Sequence, residues 1–388
     1  MIRKLTPLSK AVGIALLVGA ASFQSQAETF GGTSVKYSGY IKADAMFSDY
    51  SDGSLGSGNL GRDFYIPSLT PVGGESEGAQ FDAHGRQSRF RLTTTTPVDG
   101  DSVTGVIELD FLVTPNGNER ISNSYTPRIR HAFISYKNWT VGQTWTTFMD
   151  TSALPETLDF IGSTDGIIFA RQMLVKYTSG SWEFALENPE STITPFGGGG
   201  RIVADDNAVP DLVARYTHKA DWGHIKVAGL VRQLSYNNND AVDDTVSSAG
   251  ISVTGKVKVG KKDDIRFSVF TGSGLGRYAA LNAQNGGVIT ADGQLETIDS
   301  SGFAIAYRHV WNSKWRSNFT YSAYNGDADT ALTGVGAIKS TKSMRANLLY
   351  QVNSKIMVGG EFAIADRELE SGADGDMNRL QFSMKYAF

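Results

Sequence analysis

The stretch V35-K-Y-S-G-Y-I-K-A-D-A-M-F47 decides how the rest of the chain is read. Taken two by two, one face carries Val35, Tyr37, Gly39, Ile41, Ala43, Ala45 and Phe47. The other carries Lys36, Ser38, Tyr40, Lys42, Asp44 and Met46. Side chains on a β-strand point alternately to opposite faces, so this is a strand apolar on one side and charged on the other.

The same rhythm recurs along the chain. Phe90 and Leu92 alternate with Arg89 and Arg91, and Ile107 and Leu109 with Glu108 and Asp110. Ile129 and Phe133 stand against Arg128 and Arg130, which leaves His131 on the apolar face. Phe184 and Leu186 alternate with Glu183 and Glu187, Leu212 and Tyr216 with Arg215, and Phe267 and Val269 with Arg266. Met344, Leu348, Phe362, Leu380, Phe382, Met384 and Tyr386 extend the pattern to Phe388. Sixteen such strands are expected, about 22 residues for each strand with its connection. The connections alternate as well. Short ones lie at 97–101, 137–139, 179–181, 219–223, 260–263, 311–314 and 352–354. Long ones lie at 48–84, 113–125, 148–166, 189–210, 235–248, 272–300, 325–342 and 366–377. Short turns on one side and long loops on the other mark a transmembrane barrel of the outer-membrane kind. Tyr136, Trp139, Trp182, Trp222, Trp311, Trp315 and Tyr350 sit near the short turns, where an interfacial aromatic girdle is expected. A secreted sandwich would show the same alternation. Its rival, the membrane barrel, is favoured by apolar faces almost free of charge, since an Arg or Lys at the bilayer midplane costs ~2–4 kcal/mol.

Composition narrows the function. The chain has 388 residues, 40 % of them hydrophobic, 36 Lys and Arg against 40 Asp and Glu, and no Cys. Thiol catalysis, disulfides and Cys-based zinc sites are excluded, and an acidic balance argues against a nucleic-acid partner. Residues 1–27 read as a secretory signal peptide: Arg3, Lys4 and Lys10, then the apolar run A11-V-G-I-A-L-L-V-G-A-A21, then S25-Q-A27 at the cleavage site. The expected organisation is thus a signal at 1–27 and a single barrel domain over 28–388, with net charge moving from −4 to more acidic once those three cations are removed.

Five stretches carry a resemblance to a known family: Y37-S-G-Y-I-K-A-D44, R86-Q-S-R-F-R91, R128-I-R-H-A-F-I134, G142-Q-T-W-T146 running into F148-M-D150, and Arg171-Gln172 ahead of Tyr177. They resemble the DcaP-like family of trimeric bacterial outer-membrane porins over the whole mature chain. The resemblance implies sixteen strands, a homotrimer, an inward-folded third loop and uptake of small anions such as dicarboxylates. Family members can carry an N-terminal coiled coil, whereas here Glu28 to Ser34 alone separate the cleavage site from the first strand.

A sixteen-stranded barrel encloses an aqueous channel, so its inward residues meet the solute. Lys42, Arg89, Arg91, Arg128, Arg130, Lys176, Arg215, Arg266, Arg345 and Arg379 are the candidate pore-lining cations; Lys226, Arg232, Arg316 and Lys385 share their faces. Rings of Arg and Lys favour anions, and a guanidinium meets a carboxylate in a two-bond fork. Alternatively, Glu108 and Asp110 on the intervening strand neutralise Arg89, Arg91, Arg128 and Arg130. The third long loop, F148-M-D-T-S-A-L-P-E-T-L-D-F-I-G-S-T-D-G166, mixes Phe148 and Phe160 with Asp150, Glu156, Asp159 and Asp165. It is expected inside the barrel, opposite the basic wall, forming a constriction crossed by an electric field.

Other motifs carry less. G272-S-G-L-G-R277 lacks the following helix that a phosphate loop requires, and His84, His131, His218, His224 and His309 show no metal spacing. The expected function is passive, anion-preferring diffusion through a bacterial outer-membrane porin, with no cofactor and no catalysis. Its expected partners are two further copies, small anions, outer-membrane lipid and lipopolysaccharide, and the barrel-assembly machinery reading Phe382, Tyr386 and Phe388. A non-selective porin, an outer-membrane enzyme such as a phospholipase, and a plugged structural barrel are the competing readings.

Overall fold

In a computed structural model, residues 28–113, 117–118 and 122–388 are described, so the signal-peptide reading lies outside the described residues. Sixteen antiparallel strands close into a barrel. In chain order they are β1 (Thr33–Tyr50), β2 (split into Gln80–His84 and Arg89–Val98), β3 (Asp101–Asp110), β4 (Arg128–Tyr136), β5 (Trp139–Trp145), β6 (Arg171–Ser179), β7 (Trp182–Glu187) and β8 (Asp211–Ala220). Then follow β9 (Gly223–Asn237), β10 (Asp243–Val259), β11 (Asp263–Ser273), β12 (Asp299–Val310), β13 (Trp315–Asp327), β14 (Ile338–Gln351), β15 (Ile356–Leu369) and β16 (Asp374–Ala387). Closure comes from β16 pairing antiparallel with β1, Tyr40 opposite Ala387 through to Tyr50 opposite Met377. At the seam Phe388 exchanges both backbone hydrogen bonds with Gly39, and its ring stacks on Tyr37 with centroids 5.3 Å apart.

The apolar faces point outward. Ile41, Phe47, Ile107, Phe184, Val231, Phe319, Met344, Phe362, Phe382 and Met384 are all exposed on the outer surface, as a lipid-facing band requires. Among the described residues no helix is long and apolar enough to cross a membrane, so the crossing is made by strands. Near the short turns the aromatics pair across strands: Trp139 with Tyr177 at 4.8 Å, Trp182 with Tyr216 at 4.9 Å and Trp315 with Tyr350 at 4.5 Å between centroids.

Three expectations need correction. First, the loops at 235–248 and 366–377 are mostly strand: β9 and β10 are joined by residues 238–242 only, and β15 and β16 by 370–373. These ladders continue beyond the apolar band, where the outer face no longer meets lipid and the inner face packs on loops, as Tyr236 and Val246 do against the cluster of Ile193, Ile289 and Leu295, so the alternation that marks a membrane strand is lost. Second, the lumen is not wet throughout. Inward-folded loops bring Phe64, Phe148, Met149, Ile161, Ile167 and Tyr278 against the inner-wall residues Phe270, Leu230 and Tyr324 in one buried apolar cluster. Third, Phe133 and His131 do not share the outer face with Ile129. The register between β3 and β4 shifts between Glu108 and Leu109; this bulge turns Arg130 and His131 both inward, and Phe133 with them, while Ile129 and Ile134 stay exposed outside. A bulge inserts one extra residue and so reverses the faces beyond it.

The wall is uneven in length. Strands β4 to β7 have 9, 7, 9 and 6 residues, whereas β9 to β16 have between 11 and 17.

Candidate functional site: the lumen and its third loop

The bulge gathers four charges. Arg128 donates to Asp110 at 2.6 and 3.2 Å, and Arg130 donates to Glu108 and to Asp110, both at 2.9 Å. Arg89 and Arg91 reach the same Glu108 only at 3.5 and 3.4 Å. The two arginine pairs read from the sequence therefore differ. Arg128 and Arg130 are compensated in full, and Arg89 and Arg91 share a carboxylate already in use. His131 bonds to Thr144 at 3.0 Å.

The third loop, residues 146–170, enters the lumen and runs around the inner wall. Its acids do not face a basic wall across open space, as the sequence suggested; they are pinned to the wall beside them. Asp150 accepts from Lys226 at 2.7 Å and contacts His224 at 2.9 Å. Burial alone would push the Asp150 carboxyl up, but Lys226, Ser152 and His224 outweigh it and hold it well below the ordinary carboxylate range. Glu156 receives both a 2.8 Å bond from Nε of Arg316 and a second bond from Nη2; here too burial is overcome by the guanidinium, and the carboxyl is held low. Asp159 accepts the backbone N–H groups of Tyr65, Ile161 and Gly162 at 2.8, 3.2 and 3.0 Å. Asp165, 0 % exposed, accepts three hydroxyls: Tyr65 at 2.7 Å, Ser322 at 2.7 Å and Ser343 at 2.5 Å. The wall reciprocates. Glu361 accepts the N–H groups of Leu158 and Asp159 at 2.8 and 3.2 Å, and Lys42 donates to the Leu158 carbonyl at 2.5 Å. Gly166 is fixed by space, because a Cβ there would lie 1.9 Å from the Phe303 carbonyl oxygen.

The remaining predicted cations all point into the barrel, and most are answered. Lys42 pairs with Asp44 at 2.9 Å, Lys176 and Arg215 both with Glu183, Arg266 with Asp264 at 2.7 Å and Arg345 with Glu361 at 3.1 Å. Arg379 is held by neutral groups: Ser48 at 2.8 Å, the Tyr50 hydroxyl at 3.1 Å and the Gly61 carbonyl at 2.6 Å. Sequence reasoning underweighted Lys385, an inward residue opposite Lys42, and missed Tyr40, whose ring lies between Lys385 and Arg89. Both belong to the polar face of strands already recognised, so alternation alone places them inside. Arg171 pairs in register with Trp145 and lays its guanidinium on that ring at 4.6 Å.

The family model for the DcaP outer membrane protein matches residues 14–388. The chain belongs to the DcaP outer membrane protein family. Among solved structures it is similar to the outer membrane channel DcaP of Acinetobacter baumannii, at TM-score 0.76 and 21 % identity, covering 94 % of this chain and 100 % of that one. The anion-selective porin from Comamonas acidovorans aligns at TM-score 0.56 and 10 % identity over 92 % of this chain and 100 % of that one. Outer-membrane expressed OmpT of Vibrio cholerae aligns at 0.56 and 13 % identity over 94 % and 100 %. At these identities the likeness is one of fold. No curated protein matches the chain by sequence.

As a DcaP family member the chain is an outer-membrane channel and not an enzyme. Its lumen nevertheless brings a serine, a histidine and an acid together: Ser152 lies 3.0 Å and Asp150 2.9 Å from His224. Both contacts fall on the same ring nitrogen, Nε2, and Ser152 Oγ donates directly to Asp150 at 2.5 Å. A hydrolytic triad needs its base to face the nucleophile with one nitrogen and the acid with the other. This DcaP family lumen thus uses the three groups to fasten a loop. Among the described residues no group of His, Asp and Glu is placed to hold a metal ion.

Proposed function

We propose that this channel passes small anions, carboxylates among them, passively down their gradients through a basic constriction, and that it works as a homotrimer. The observation that carries the reading is the charge left over on the inner face from β16 through β1 and β2 to β4. There Asp44 is spent on Lys42, and Glu108 and Asp110 on Arg130 and Arg128. Arg89 and Arg91 are left sharing a carboxylate already engaged, and Lys385 has no carboxylate in contact, only the Glu156 charge acting on it from the third loop; surplus cations lining a lumen draw in counter-ions. The fold likeness to a porin described as anion-selective is consistent with this.

The trimer rests on the short wall. A transmembrane strand needs ~9–11 tilted residues, and β5 and β7, with 7 and 6, fall short. Ile134, Val141, Met173, Phe184 and Leu186 remain exposed on that face, and a second copy covers it better than lipid. Export by the signal at 1–27, and recognition of Phe382, Tyr386 and Phe388 by the assembly machinery, complete the reading; lipid and lipopolysaccharide meet the outer face.

A general, weakly selective porin is favoured by one observation: Lys176, Arg215, Arg266 and Arg345 are all paired with carboxylates. Reversal potential in planar bilayers under a potassium chloride gradient separates the two. The proposal expects a potential on the chloride side of zero; a value near zero or on the potassium side overturns it. The mass of the detergent-solubilised channel is expected at three times that of the mature chain.

A further inference from the structure

The long loops, which lie on the extracellular side of such a barrel, do not cover the lumen evenly. The connection between β7 and β8 folds into a hairpin, Ser191–Thr194 against Ile202–Ala204. Its first strand pairs in parallel with Gly287–Ile289 of the connection between β11 and β12. At the hairpin tip Gly197 donates to the Leu332 carbonyl, between β13 and β14, at 2.7 Å. The loops from β7 to β14 are thereby joined into one roof, and beneath it lies the buried apolar cluster around Leu230, Phe270 and Tyr324. The first long loop takes the side of β15 and β16. Arg367 donates to the carbonyls of Ser68 and Thr70 at 2.8 and 3.0 Å, and Arg379 to that of Gly61 at 2.6 Å.

Space remains above the short wall. A cavity of about 440 Å³ runs there from Ile129 and Arg171, at the loop-side ends of β4 and β6, to Phe160 and Phe169 of the third loop, with Ser68 of the first loop and Leu281 of the roof at its border. Ile129 belongs to the exposed outer face, so the cavity passes over the rim and opens sideways. Leu281 is held at this border by an uncommon backbone. Ala280, Leu281 and Asn282 have φ of 48°, 55° and 60°, a left-handed run that residues with a side chain rarely adopt in succession. Such a run persists where its surroundings over-determine it. Ala280 donates to the Ile167 carbonyl at 3.1 Å and Phe169 to the Tyr278 carbonyl at 2.9 Å. Asn282 Oδ1 accepts from Thr192 at 3.1 Å, and its carbonyl from Arg201 at 2.6 Å. The turn is thus fastened to the third loop on one side and to the hairpin on the other.

We propose that the outer entrance of the channel is this lateral opening above the short wall, and that Leu281 limits the cross-section of the solutes that enter it. A polar solute is not admitted to a dry apolar cluster without losing its hydration, so the roofed half offers no way in. At the opening Leu281 presents alkyl bulk and no charge; the filter therefore acts on size. The inference needs only a channel, which family membership establishes, and holds whatever the ion preference of that channel.

The chain has no cysteine, so a single introduced thiol reports cleanly. The test uses the full chain in planar bilayers, with membrane-impermeant methanethiosulfonates added on the loop side, one bearing a sulfonate and one a trimethylammonium group. Modification of Leu281→Cys by either reagent is expected to remove most of the single-channel current. Asp292→Cys, in an exposed turn of the roof, and Ser371→Cys, in the exposed turn between β15 and β16, are expected to react with no loss of current. Mass spectrometry scores modification, and heat-modifiable migration on gels scores folding. Should Leu281→Cys not fold, Ser68→Cys, across the same cavity, carries the same expectation. A thiol at 281 that stays unreactive in the folded channel overturns the lateral entrance, as does one that reacts without loss of current. A loss as large at Asp292→Cys or Ser371→Cys overturns it too. A loss with one reagent and not the other overturns the size filter. Reversal potential plays no part in any of these outcomes, so the ion-preference reading stands or falls separately.

Discussion

Two arcs of the same lumen carry charge to different ends. Along β9 to β15 each charge near the third loop has a partner: Lys226 and His224 hold Asp150, Arg316 holds Glu156, and Glu361 holds both Arg345 and two loop amides. Along β16, β1 and β2 the cations outnumber their partners, and Lys385, Arg89 and Arg91 face the passage. Both arcs follow one rule. A charge enclosed by protein must be paired or hydrogen-bonded, whereas a charge facing water is free to meet a solute. The first arc is where the loop is fastened to the wall by its acids. The second meets the loop at Leu158, whose carbonyl accepts from Lys42 and Gln381, and Arg89 and Arg91 lie beyond that contact.

The contrast breaks most severely at Glu361. Glu361→Ala removes the acceptor of two loop amides and leaves buried Arg345 with only Asp159, at 3.9 Å; losing one member of a buried pair costs about 3–5 kcal/mol. We expect a matching fall in the denaturant midpoint of the refolded barrel and a larger, noisier conductance as the loop leaves the wall; an unchanged midpoint would show that the loop is held elsewhere. A smaller effect is expected at Asp165, where three hydroxyls donate to one carboxylate. Asp165→Asn turns one acceptor oxygen into a donor facing donors, at a cost of about 1–3 kcal/mol, read in the same titration. The smallest effect concerns acid. Asp150 and Glu156 are held below the ordinary carboxylate range, so their contribution is fully present above the unfolded values near pH 4 and fades only as pH falls through the lower folded ones. Single-channel conductance should therefore stay constant from pH 7 to about pH 5; a transition within that window would mean that these anchors do not hold the loop.

Much of this was legible in the residues. Period-two alternation fixes which side chains face lipid and which face the lumen, because the membrane touches only one face; hence the ten candidate cations from Lys42 to Arg379 lie on the lumen side. The alternation is blind where that asymmetry is lost. At the bulge after Glu108, one extra residue reverses the faces and moves His131 and Phe133 inside. Beyond the apolar band, where the outer face of 235–237 and 243–248 meets no lipid and Tyr236 and Val246 pack on loop residues instead, strand looks like loop. Pairing was legible only in outline. That Glu108 and Asp110 sit between two arginine pairs follows from order along the chain, but their allegiance to Arg128 and Arg130 over Arg89 and Arg91 depends on the bulge geometry. The anchoring of Asp150, Glu156, Asp159 and Asp165 by the nearest wall was not legible at all, since it joins residues as far apart as 159 and 361.

The difference between the arcs is tested most directly by exchanging charge in each and recording reversal potentials under one potassium chloride gradient. Arg89→Gln with Arg91→Gln should move the potential clearly toward zero. Lys176→Gln with Arg215→Gln, which strips the two partners of Glu183, should unfasten local structure yet shift selectivity less than the first pair does. If the second double variant changes ion preference as much as or more than the first, the division between anchoring and solute-facing charge is wrong.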